Sequence, residues 1–414
     1  MQSQLRRGAL FATLAGNTLE FYDFLTYSFF AVYVGRAFFP TDSEFASLLL
    51  SVATFGIGFL TRPLGGIWIG AYADRAGRRP ALLLTMVLMT VGTLGLVLTP
   101  PYASIGIAAP LILVVARLVQ GIALGGEVGP ASAVLVEGAP EGKRGLYMSL
   151  QSMSQGVAIL AGGLVGLTLA QTLDADQLAS WGWRAAFAVG LLLVPVGLYL
   201  RRALPETLSE PKHATAMAAL RAVMTGHRRE LVIVVMVTSC MTISSYVMTY
   251  MTTYAQTALG MPPTAAMAAP IANGVATILA ALAGGVIADR FGRRRTMIVS
   301  RLLVVALQLP AFLYLVYSPT VTALVIVVVV LSLVGTPGAV AALTAMAEIF
   351  PTEIRGAGIS LAYALTVTIF GATTQFVIAW LIGVTGSPYA PAIYVMVSSA
   401  ISIGAMTMLR ETKG

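Results

Sequence analysis

Charge is what this sequence is short of. Only 10% of its 414 residues are Asp, Glu, Lys or Arg, against about a quarter in ordinary soluble domains. Fifty-seven per cent are apolar, and 41 glycines stand outside that count. Seventeen acids and 25 bases cannot clothe a soluble body of this length. That excludes a cytosolic enzyme, a disordered chain and a conventional nucleic-acid binder, although the net charge is +8. The single cysteine, Cys240, excludes an intrachain disulfide and a cysteine-based metal cage. The only histidines, His213 and His227, share one polar segment and read as solvated loop residues, so no metal site is expected. Glycine-rich runs lie within apolar stretches and no phosphate-cradling Walker string occurs, which argues against ATP-driven chemistry.

What is present in quantity is long apolar runs. A helix needs about 20 mostly apolar residues to cross a bilayer. Twelve stretches qualify, at 9–34, 45–72, 81–99, 107–132, 146–170, 183–200, 230–256, 266–287, 296–316, 321–345, 357–383 and 389–409. The first follows Arg6 and Arg7 without a small-residue cleavage site and reads as an uncleaved signal anchor. With the N-terminus inside, 21 of the 25 basic residues, Arg301 among them, fall on the inner side. Arg36 and Arg184 fall outside, and Arg62 and Arg117 inside spans. The positive-inside rule then places both termini in the cytoplasm, in a bacterial-type inner membrane. The basic excess is topology. The longest polar segment, 201–229, reads as a cytoplasmic linker between a six-helix bundle at 1–200 and another at 230–414.

Two halves predict an internal repeat. After the second span comes Gly70-Ala-Tyr-Ala-Asp74-Arg75-Ala-Gly77-Arg78-Arg79, and after the eighth Gly285-Val-Ile-Ala-Asp289-Arg290-Phe-Gly292-Arg293-Arg294. The same G-x-x-x-D-R-x-G-R-R string recurs 215 residues on. Glu137 with Arg144 recurs as Glu348 with Arg355, 211 residues on. This doubled loop resembles the signature of the major facilitator superfamily, and Arg117-Leu-Val-Gln120-Gly121 resembles that family's fourth-helix motif. Gly16-Asn17-Thr-Leu-Glu20-Phe-Tyr-Asp23-Phe, Arg62-Pro63-Leu-Gly65, Gly125-Gly126-Glu127 and Trp181-Gly-Trp183-Arg184 are similar to strings of its metabolite:proton symporter branch. The early strings and Gly106-Ile-Ala-Ala-Pro110 look nearest to citrate and tricarballylate carriers. Other members of the branch carry 2-oxoglutarate, shikimate, proline or betaine. The resemblance implies an all-α integral membrane protein of twelve helices in two bundles. It also implies that Asp74, Arg75, Arg78, Arg79, Glu137, Arg144, Asp289, Arg290, Arg293, Glu348 and Arg355 form a cytoplasmic gate.

An ionisable group at mid-bilayer costs at least about 2.5 kcal/mol and is by default a functional candidate. Five qualify: Glu20, Asp23, Arg62, Arg117 and Glu127, all in the N-terminal half. At about 1.5 Å of rise per residue, Asp23 lies roughly 21 Å from the inner edge and Arg117 about 15 Å from the outer. Arg62 lies about 18 Å above the inner face by the same rise. Asp23/Arg117 and Glu20/Arg62 are therefore compatible in depth. The deep C-terminal spans read as carrying no charge, only neutral polar groups such as Tyr246, Tyr250, Asn273 and Gln375. Asn17 and Tyr27 share a helical face with Glu20 and Asp23. Gln120 is one turn from Arg117, and Ser152 and Gln155 are three apart on span five. These neutral groups are substrate-contact candidates, with interhelical glue as the plain alternative.

Arginine suits a carboxylate because its planar fork binds two oxygens and stays charged. A substrate carboxylate that captured Arg117 would deprive Asp23 of its partner and drive proton uptake there, Glu20 and Glu127 being further candidates for proton coupling. A permanent Asp23/Arg117 salt bridge is the competing reading. The expectation is a proton-coupled symporter of an organic acid anion, citrate or a related tricarboxylate. It needs no cofactor beyond the proton gradient, works as a monomer in lipid, binds no nucleic acid and is no enzyme. Symport of a dicarboxylate or a zwitterion, and uncoupled exchange, are the alternatives. A membrane enzyme would want a nucleophile–base pair, and a sensor a larger soluble domain.

Overall fold

A computed structural model describes residues 7–126, 132, 135–136, 138–202, 216–351, 354–409 and 411. Glu127 and Glu137, and the side chains of Asp74, Arg75, Arg78 and Arg79, lie outside the described residues. The first half contains α1 (Arg7–Phe29), α2 (Ala31–Phe38), α3 (Glu44–Leu60), α4 (Arg62–Ala76), α5 (Arg78–Leu98), α6 (Ala108–Gly125), α7 (Arg144–Thr172) and α8 (Trp183–Arg202). A short helix, α9 (Ala216–Gly226), precedes α10 (Arg228–Thr257), α11 (Ala268–Phe291), α12 (Arg293–Tyr317) and α13 (Val321–Ile349). The eleventh span is α14 (Arg355–Thr366), a π-helical turn at Val367–Gly371 and α15 (Ala372–Thr385), and α16 (Ala390–Thr407) is the last. Among the described residues, ten helices are long and apolar enough to cross a membrane. The first and sixth expected spans are also helical, as α1 with α2 and as α8. The chain is thus an all-α, multi-pass membrane protein of twelve helices in two bundles, with no strand among the described residues.

The outward faces show why it needs lipid. On α5 the residues Val87, Val91, Leu94 and Leu98 form one exposed stripe at helical spacing. In water such a stripe would be an aggregation surface, and in a bilayer it is the lipid face. Inward faces carry small residues instead, because close packing holds membrane helices together where burial from water cannot. A Cβ at Gly65, Gly121 or Gly125 would land on the carbonyl oxygens of Ile122, Gly58 and Arg62, so α6 lies backbone to backbone against α3 and α4. The repeat string has a conformational reason as well. Gly77 (φ 100°, ψ 162°) and Gly292 (φ 96°, ψ 157°) take the same backbone conformation, one open to glycine alone. Each ends one span and starts the next.

The halves meet along two seams, α7 against α11 and α3 against α15. At the end carrying the repeated basic loops the seam is shut. The Asp289 carboxylate on α11 accepts from the backbone N–H groups of Gly145 (2.8 Å) and Leu146 (3.0 Å) at the start of α7. At the opposite end a cavity of about 480 Å³ opens between the halves, lined in part by Tyr33, Arg36, Glu44, Ser47, Tyr250 and Gln256.

One expectation is corrected. Arg301 is no loop residue: it is 1% exposed inside α12, so the interior of the C-terminal spans does hold a charge. Its guanidinium donates to Ser244 Oγ (2.8 Å) and to the carbonyls of Gly335 (3.1 Å) and Cys240 (3.5 Å). Pro337 interrupts α13 beside it, and Ser300 donates to the Val334 carbonyl (2.5 Å). A proline weakens the turn that precedes it, and here Ser300 and Arg301 donate to carbonyls of that turn.

Candidate functional site

Where α1, α3, α4 and α6 meet, with α5 behind them and Tyr246 of the second half in front, intramembrane charges converge around three phenyl rings. Phe24, Phe55 and Phe59 are fully buried and pack edge-on or tilted against one another with centroids 4.9–5.4 Å apart. The Arg117 guanidinium carbon lies over Phe24 (4.5 Å) and Tyr27 (4.6 Å). That of Arg62 lies over Phe24 (4.6 Å) and Phe59 (4.2 Å). Ring faces are electron-rich, so they hold each cation in a water-poor place without consuming its donors. The donors are accordingly free. Nε, Nη1 and Nη2 of Arg62 and Nε and Nη2 of Arg117 have no hydrogen-bond partner, although Arg62 is 2% and Arg117 0% exposed. A buried guanidinium without acceptors is costly, and an anion would supply the acceptors that this pocket lacks.

Asp23 faces Arg117 through an intermediary. Its Oδ2 accepts from Thr93 Oγ1 (2.5 Å) and Gln120 Nε2 (2.7 Å), while Gln120 Oε1 accepts from Arg117 Nη1 (2.7 Å). Among the described residues no direct ion pair joins Asp23 to Arg117. The permanent salt bridge is not made, and Gln120 carries the connection. Arg62 likewise makes its contacts with rings, so the Glu20/Arg62 pairing allowed by depth is not formed. Glu20, 4% exposed, instead lines a small cavity with Asp23.

The second half supplies Tyr246, whose ring meets Phe59 edge-on at 5.2 Å and Phe55 at 6.0 Å. The hydroxyls of Tyr246 and Tyr363 both approach Arg62, near enough to feel its charge and to turn toward its donors. On α15, Gln375 Nε2 donates to Ser28 Oγ (2.7 Å) across the seam, its Oε1 buried without a partner. Tyr27 donates to the Ser51 carbonyl (3.2 Å). Tyr27, Arg62, Arg117, Gln120, Asp23 and Tyr246 are thus brought together, with Gln375 beside them. Others are not. Asn17 donates to Ser154 Oγ (2.6 Å), tying α1 to α7. Asn273 accepts from Ser332 Oγ (2.9 Å) within the C-terminal bundle. Tyr250 lines the 480 Å³ cavity, and Ser152 (buried) and Gln155 (half-buried) sit on α7 beside the Asn17 partner. Thr93, Phe55, Phe59 and Ser28 were not singled out from sequence. Nothing distinguishes a lone Thr or a Phe pair at i, i+4 from a lipid face until the helix is rotated into place.

Of the residues expected to form a gate, Arg293 is buried and pairs with Asp289 (3.0 Å) and Glu348 (3.1 Å) within the second half, and Arg144 of the first half approaches Glu348 at 3.7 Å. Arg290 stacks on Phe291 (5.4 Å), and Arg355 opens α14.

A polar, doubly cationic cluster at the seam of two pseudo-symmetric helical bundles, closed at one end and hollow at the other, defines a membrane carrier. The chain matches the family profile of the Major Facilitator Superfamily over residues 13–363 and 234–413. It belongs to that superfamily. It is 37% identical to the citrate-proton symporter of Klebsiella pneumoniae over 93% of this chain and 88% of the relative. It is 33% identical to the alpha-ketoglutarate permease of Escherichia coli K12, over 89% and 86%. Its fold matches the proton:xylose symporter XylE bound to 6-bromo-6-deoxy-D-glucose, with a TM-score of 0.78, 20% identity and coverage of 100% and 98%. The family and these relatives are transporters.

Proposed function

We propose that the protein is a proton-coupled symporter of an organic acid anion, citrate or a related tricarboxylate, working by alternating access. The observation that carries this reading is the pair of buried arginines with five unpartnered guanidinium nitrogens at the seam. Two planar cations suit a substrate with at least two carboxylates, and a monovalent or zwitterionic solute would leave one unmatched. The relatives that carry citrate and alpha-ketoglutarate agree with that chemistry. A dicarboxylate is the second reading, favoured by the same two cations.

In this mechanism the anion enters from the 480 Å³ cavity, and its carboxylates take the free donors of Arg117 and Arg62. Engaging Arg117 draws its field away from Gln120 and Asp23, and Asp23 takes up a proton. Substrate and proton then sit in one neutralised unit, and the Asp289 hydrogen bonds to Gly145 and Leu146 and the Arg144–Glu348 pair break to open the other end. Tyr246 and Gln375 complete the pocket from the C-terminal bundle (230–414), which rocks against the N-terminal one (1–200) about the 201–229 linker. The basic loops face the cytoplasm of a bacterial inner membrane with both termini. The proton gradient is the energy source and a monomer is the working unit.

The test is uptake of labelled citrate into proteoliposomes under an inward proton gradient. Accumulation above equilibrium that collapses with a protonophore is expected, and uptake indifferent to the gradient refutes coupling. Uptake of 2-oxoglutarate without citrate would keep the mechanism and replace the substrate. Retained gradient dependence in Asp23→Asn would remove Asp23 from it.

A further inference from the structure

The other side of Asp23 has a structure of its own. While Oδ2 is held by Thr93 and Gln120, Oδ1 is buried without a hydrogen-bond partner. It points toward Gly190 on α8, where an added Cβ would stand 3.3 Å from it. There a cavity of about 30 Å³ is walled by Glu20 and Asp23 from α1, Met86, Met89, Thr90 and Thr93 from α5, and Gly190, Leu191 and Val194 from α8. That is room for a water molecule, which wants two to four polar partners. The Asp23 and Glu20 carboxyls and the threonine hydroxyls supply them. The cavity lies behind Asp23 as seen from the arginines, on the α5–α8 side and away from the seam.

We propose that this cavity holds a relay water between Glu20 and Asp23, so that the proton reaches Asp23 from the α5–α8 side while the anion meets Arg117 from the seam. This rests on the proton-coupled reading above. In the step, the protonated Glu20 carboxyl gives its proton to the water oxygen as the water gives one of its own to Asp23 Oδ1. Glu20 is left ionised, Asp23 neutral and the water unchanged. The other titratable or charged groups around Asp23 are Tyr22 and Tyr27 on its own helix and Arg117 on α6. Beyond the Phe24 ring lie Arg62 on α4 and Tyr246 on α10, while among the described residues α5 and α8 bring none to the cavity wall. A proton route separate from the substrate route lets Asp23 load or unload while the arginines are occupied.

Gly190 makes the inference testable without touching the charged groups. Alanine there takes the water's place against Oδ1, and serine puts a hydroxyl, itself a donor and acceptor, in the same spot. For Gly190→Ala, proton-driven citrate uptake is expected to fall about tenfold, with citrate counterflow, which needs no net proton release, within about twofold of native. Gly190→Ser is expected to regain at least about half of the lost uptake. Equal behaviour of the two variants, or uptake and counterflow falling together, overturns the relay. Should neither variant be produced, Glu20→Gln carries the test, with loss of accumulation expected and native accumulation refuting the relay. Failure of the unaltered protein to use the gradient is a different result, and sinks the symport reading itself.

Discussion

Replacing Arg117 by lysine keeps the charge at the seam and removes only the fork. Nη1 of Arg117 is committed to Gln120 at 2.7 Å, and Nε and Nη2 remain for a carboxylate beside Gly58. A lysine brings all its donors on one nitrogen, so beside the Gln120 contact it meets the carboxylate with a single bond and not a parallel pair. It also loses the planar stacking at 4.5–4.6 Å on Phe24 and Tyr27. One charge-assisted hydrogen bond is worth about 1.5–3 kcal/mol, which at about 1.4 kcal/mol per decade is roughly a 10- to 150-fold loss of affinity. The assay is citrate counterflow in proteoliposomes, reading KM at saturating internal citrate, with the yield of monodisperse protein as the folding control. A KM within about threefold of native would show that Arg117 acts as a point charge, and the bidentate argument would fail.

Gln120→Leu should leave Arg117 able to bind anion but cut its link to Asp23, so citrate counterflow persists while gradient-driven accumulation falls steeply; unchanged accumulation would remove Gln120 from the coupling path. Asp289→Asn weakens the cap on Gly145 and Leu146 and the pair with Arg293. At about 1–2 kcal/mol that shifts the population toward the state open at the basic-loop end by roughly 5- to 30-fold. Faster maleimide labelling of Ser149→Cys in a Cys240→Ser background reports the shift, and an unchanged rate contradicts it. Gly121→Val forces α6 away from the Gly58 carbonyl and should sharply lower the yield of folded protein, with native yield and melting temperature as the refuting result.

Much of this molecule is written in one dimension. Twelve apolar stretches dictate helices because a bilayer satisfies no backbone groups, and the repeated G-x-x-x-D-R-x-G-R-R string marks two equivalent turns, down to the shared φ of Gly77 and Gly292. Mid-span charge alone flagged Asp23, Arg62 and Arg117, because charge in lipid is too costly to be idle. Which charges meet was settled only by the rotation of each helix about its own axis. Depth along a span is additive in residues, whereas the face it presents depends on every neighbour it packs against. So Gln120 rather than Arg117 touches Asp23, phenyl rings rather than Glu20 hold Arg62, and Asn17 turns to Ser154. Arg301 makes the same point from the other direction. Its place near a basic loop read as topology, and only the Ser244 hydroxyl on α10 and the Gly335 carbonyl beside Pro337 on α13 explain why a buried cation is stable there.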